Sequence, residues 1–115
     1  MTAQQFREMA LSLPEVNEQA HMGHPDFRVG GKIFATLGYP GKEFGVVIIS
    51  PADQARFVQN KPDVFLPASG AWGLRGSTQV RLSAIDKQTL HEALTAAWRS
   101  RAPKRLHAFD DRIAE

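Results

Sequence analysis

Asp26-Phe27-Arg28-Val29-Gly30-Gly31-Lys32-Ile33-Phe34-Ala35-Thr36-Leu37 decides the fold. Two β-rich runs flank adjacent glycines, and glycines supply the positive φ that a two-residue hairpin loop requires. With Gly30-Gly31 as the loop, Val29 pairs with Lys32, Arg28 with Ile33 and Phe27 with Phe34. That register sets an aromatic pair on one face and leaves Arg28 and Lys32 beside the tip. Downstream, Gly38-Tyr39-Pro40-Gly41 is a second turn, and Phe44 to Ile49 carries apolar side chains on both faces, as a central strand does. Three antiparallel strands are expected here.

Upstream, Thr2 to Leu13 reads as a helix, because Phe6, Met9, Ala10 and Leu13 recur at three- and four-residue spacing, with Thr2 as N-cap. Pro14 ends it, and a polar stretch separates it from Asp26. Ser50-Pro51-Ala52-Asp53 starts another helix: a serine cap, proline at the first helical position and an acid where the macrodipole favours negative charge. That helix stops before Pro62. Asp63 to Ala71 is irregular and too apolar for a solvated loop, so it is expected to cross the core edge. Trp72-Gly73-Leu74-Arg75 and Thr78-Gln79-Val80-Arg81-Leu82, joined by Gly76-Ser77, predict a second hairpin. Asp86 then caps a final helix with Leu90, Ala93, Leu94, Ala97 and Trp98 on one face and Pro103 beyond its end. The expected order is α-β-β-β-α-β-β-α, an α+β fold of antiparallel hairpins with packed helices.

The whole chain of 115 residues suits one domain, expected over residues 1–106 with a polar tail over 107–115. An apolar fraction of 43% is enough for a core without disulfides. With no cysteine there is no thiol nucleophile, CxxC pair or thiolate metal site. Mean hydropathy is −0.30, and neither a signal-type start nor a bilayer-length apolar run occurs, so a cytoplasmic, non-membrane protein is expected. Neither GxGxxG nor GxxxxGK[ST] is present, no serine sits in a GxSxG setting, and no paired carboxylates are evident. The expectation is a non-enzyme without a cofactor.

Leu13-Pro14-Glu15-Val16, the run from His24 to Ala35, Trp72-Gly73 and the ending Ala97 to Leu106 together resemble the MmcQ/YjbR family of small bacterial proteins. The resemblance implies a fold like the double-wing DNA-binding domain of a bacteriophage transcription activator. It also implies binding to double-stranded DNA, a label that rests on shape, and it brings no catalytic motif.

Charge has to carry that reading. Net charge is only +2, 14 Lys+Arg against 12 Asp+Glu. Arg28, Lys32, Lys42, Arg75 and Arg81 nevertheless lie on or beside the expected hairpins, where two wings would present them to phosphates. Strands also place such residues on solvent faces and edges without any ligand. Arg99, Arg101, Lys104 and Arg105 form a second basic group where cations complement a helix C-terminus. Asp110, Asp111 and Glu115 follow them, and an acidic end of this kind would compete with DNA. Trp72 suits either packing at the core or rim, or stacking on an unpaired base.

Two other classes compete. His21, His24 and Asp26 have the chemistry of a metal or small-ligand site, although His24 precedes proline and is biased toward an extended conformation. A protein-interaction module would use an exposed strand edge or Phe65-Leu66-Pro67.

Overall fold

Gly30 and Gly31 turn the chain with φ of 59° and 79°, joining β2 (His24–Val29) to β3 (Lys32–Leu37) as the sequence predicts. Val29 pairs with Lys32 and Arg28 with Ile33, but Phe27 then pairs with Ala35. A β-bulge makes Phe34 an extra residue, so Phe34 and Ala35 are consecutive and both fully buried. The expected Phe27–Phe34 pairing is thereby corrected: the ring beside Phe27 is Phe6, 6.0 Å away between centroids.

The computed structural model describes residues 1–109. The expected elements are present except for one strand, which is a helix, and β1, β5 and a closing 3-10 helix are added. α1 (Ala3–Leu11) begins with a capping box between Thr2 and Gln5. β1 (Asn17–His21), unforeseen in the polar stretch, pairs along β2. β4 (Phe44–Ile48) leads to α2 (Pro51–Asn60), whose first turn is capped by Ser50 accepting from the Asp53 backbone N–H at 3.0 Å. β5 (Phe65–Pro67) lies within the supposedly irregular stretch. α3 (Gly70–Leu74) replaces the strand expected over Trp72–Arg75, and its link to β6 (Ser77–Arg81) is no hairpin tip. β6 therefore pairs with β5 and β4. α4 (Lys87–Arg101), capped by Asp86, is followed by a 3-10 helix over Lys104–Phe109.

The result is an α+β fold with one antiparallel sheet of six strands in the order β1-β2-β3-β4-β6-β5. Phe27, Ala35, Val47 and Thr78 line up across one face and are fully buried. Phe6, Leu90, Leu94, Ala97 and Trp98 of α1 and α4 are buried with them in the same core. Trp98 Nε1 donates to the Pro14 carbonyl at 2.9 Å, pinning α4 to the end of α1. On the opposite face, Gln19, Asp26, Thr36, Val46, Gln79 and Leu66 form a continuous row from one edge to the other. Among the described residues, no helix is long and apolar enough to cross a membrane.

Candidate nucleic-acid interface

The Gly30 tip is seated against Pro103, so closely that a Cβ on Gly30 would lie 2.8 Å from the proline ring. Lys32 and Lys104 are thereby carried to the same end of the sheet. Two further contacts bring Arg75 and Arg101 there. Ser100 Oγ donates to the Ile48 carbonyl at 2.9 Å, anchoring the last turn of α4 at the end of β4. The Ile49 N–H donates to the Gly76 carbonyl at 3.1 Å, which sets Arg75 beside the same point. Lys32, Arg75 and Lys104 are exposed and Arg101 is half-buried. Among the described residues, none of the four makes an ion pair.

Other candidate cations lie elsewhere or are already engaged. Lys42 sits in the β3–β4 turn and Arg81 at the far end of β6, opposite Phe44. A strand of this length, about 17–20 Å, separates them from the tip. Arg81 also donates to the Asp63 carbonyl at 3.3 Å and lies 5.4 Å over the Phe44 ring. Arg99 lines a groove between α2 and α4 with Asp53, Arg56, Phe57 and His91. The two expected wings are therefore corrected. The second is a helix and a strand, and the first does not project freely, because Pro103 backs its tip. Asp110, Asp111 and Glu115 lie outside the described residues.

Arg28 is committed to Asp26. Its Nε donates to Oδ1 at 2.8 Å and its Nη2 to Oδ2 at 3.1 Å, the two-point geometry that suits a guanidinium and a carboxylate. Strand alternation puts both residues on one face, and the unforeseen β1 adds His21, whose Nδ1–H donates to Asp26 Oδ2 at 2.8 Å. Asp26 is fully buried. The Arg28 hydrogen bonds, joined by that of His21 and by both positive charges, outweigh desolvation and hold its carboxyl below the ordinary value. His24 instead stands edge-on to Tyr39, with ring centroids 6.0 Å apart. Among the described residues, no group of three His, Cys, Asp or Glu side chains could hold a metal ion, so His21, His24 and Asp26 form no such group.

Trp72 departs from the packed role considered for it: the residue is 68% exposed. α3 that carries it is nevertheless fixed. Gln54 Nε2 donates to the carbonyls of Gly73 and Ser77 and to Thr78 Oγ1 at 3.0–3.1 Å. Gly73 packs so tightly that a Cβ there would lie 1.8 Å from the Ala68 carbonyl oxygen. Nothing in the sequence marks Gln54 for this task, since its acceptors come from segments roughly twenty residues downstream.

A family model described as YjbR matches residues 11–100. The chain belongs to the YjbR family. The fold is similar to that in the crystal structure of Deinococcus radiodurans protein DR2400, whose domain model is DUF419. The two share 15% sequence identity with a TM-score of 0.74, over 98% of this chain and 88% of that one. No curated protein matches the chain.

The YjbR match takes in all six strands and α3, so Lys32, Trp72 and Arg75 stand on the family's framework. Arg101, Pro103 and Lys104 lie just past its end. The cationic end of the sheet thus combines the YjbR core with the segment that follows it.

Proposed function

We propose that this YjbR-family protein is a non-catalytic DNA-binding protein that engages the phosphates of double-stranded DNA with Lys32, Arg75, Arg101 and Lys104. One observation carries the reading: three segments distant in sequence converge on one end of the sheet, and none of their four cations is neutralised by a carboxylate among the described residues. Such cations are available to displace condensed counterions from a polyanion. Arg28, held by Asp26, serves the fold.

The test is a titration of a labelled mixed-sequence duplex at several salt concentrations. Four neutralised phosphates give a slope of log affinity against log salt of about −3.6. Lys32→Ala/Arg75→Ala flattens that slope by about 2, while Lys42→Ala/Arg81→Ala at the other end leaves it unchanged. Absence of binding at low salt, or equal losses from both pairs, overturns the proposal.

A further inference from the structure

Arg75 caps α3 three residues after Trp72, its backbone N–H donating to the Trp72 carbonyl at 3.2 Å, the helical spacing that puts two side chains side by side on one face. The indole carries no partner: among the described residues no aromatic ring packs on it and no cation lies over it. It contrasts with Trp98, which is fully buried. The surrounding segment has one sign of charge, because no Asp or Glu stands between Asp63 and Asp86, whereas Arg75 and Arg81 do. A large flat ring held on a fixed helix beside an unpaired guanidinium loses little freedom on binding, so the area it buries turns into affinity.

We propose that Trp72 and Arg75 form a subsite for one unpaired nucleobase and its adjoining phosphate. The ring stacks on the base and the guanidinium meets the phosphate. This inference rests on the phosphate-binding reading above and extends it: DNA with an unpaired base beside the duplex binds more tightly than a blunt duplex of equal charge. Stacking accepts any base, since every base has a π-face, so the subsite recognises unpaired structure and not sequence.

The experiment compares a duplex carrying a short thymidine overhang with the same duplex whose overhang is abasic, which keeps every phosphate and removes only the bases. Binding is read by anisotropy of a label on the DNA and by quenching of indole fluorescence, with buried Trp98 as a constant background. The thymidine overhang is expected to bind about 5- to 150-fold more tightly, the range for one stacked base, and to quench Trp72. Trp72→Ala abolishes that advantage without weakening the abasic duplex, and Trp72→Phe restores part of it. Because Trp72 is mostly exposed, these variants should fold, and circular dichroism checks that they do. Equal affinity for the two overhangs, with the salt slope intact, overturns the base subsite and leaves the phosphate reading standing. Failure to bind either DNA overturns the phosphate reading itself. If Trp72→Ala instead converts a self-associated species to monomer in sedimentation without altering DNA affinity, the exposed indole belongs to a protein contact and the subsite is overturned.

Discussion

At the scale of single residues, Asp26 is the most constrained charge in the molecule's strands. It accepts from Arg28 and His21 while fully buried, and its folded pKa is lowered from an ordinary 3.8 chiefly by the Arg28 hydrogen bonds. A carboxylate of this kind adds stability above its unfolded pKa and loses it as pH falls through the folded value. Asp26→Asn should therefore lower stability at pH 7 by about 1.5–3 kcal/mol, the range for hydrogen bonds to a charged group. The lower half of that range is expected, because the Arg28 and His21 side chains are 25% and 42% exposed and screened by water. Urea midpoints of the two proteins should converge as pH is taken below the ordinary carboxylate value. A difference that persists at pH 2 would show that shape, not charge, is what Asp26 contributes. From the sequence, His21 is set beside Asp26 as a candidate ligand but Arg28 is assigned to phosphates, although residues two apart on a strand share a face and that spacing already offers the Asp26–Arg28 pair.

At the scale of elements, legibility followed how far each segment determines itself. α2 and α4 begin at Ser50-Pro51 and Asp86, where the capping residues are adjacent in sequence, and both were readable. β1 has no buried face, all five residues being exposed, so no alternation announces it; its conformation comes from pairing with β2. The strand expected over Trp72–Arg75 failed because α3 is only five residues long, too short for helical periodicity, and is held by Gln54 from another element. Gly76 locks the same junction. Its φ is 113°, and a Cβ there would lie 1.7 Å from the Ile49 carbonyl oxygen. Gly31, with φ of 79°, faces open space. Alanine at Gly31 should therefore carry only backbone strain, about 1–3 kcal/mol. Gly76→Ala adds a collision with backbone and should be the more destabilising by at least about 1 kcal/mol. Chemical denaturation of both variants checks the order, and equal midpoints would contradict the collision.

At the scale of the whole molecule, the candidate site is a product of topology. The expected cations were named individually from the sequence, but their division between two ends of the sheet depends on the β4–β6 pairing and on the contact of Gly30 with Pro103, neither of which local pattern encodes. If DNA binds the folded chain alone, mass action stabilises it: at a duplex concentration one hundred times Kd the gain is about 2.7 kcal/mol. A melting experiment at low salt should show Tm rising with duplex concentration, and the rise should vanish as salt is raised. A shift that survives high salt would point to contacts other than phosphate. The ends of the sheet carry a different consequence. One edge is β1, polar and bearing Glu18; the other is β5, three residues long and closed by Pro67, which has no N–H to offer. The β5 edge is thus a poor template on which further chains can stack, and the Glu18 charge opposes such stacking at the β1 edge, so strand-to-strand gelation in concentrated solution is disfavoured.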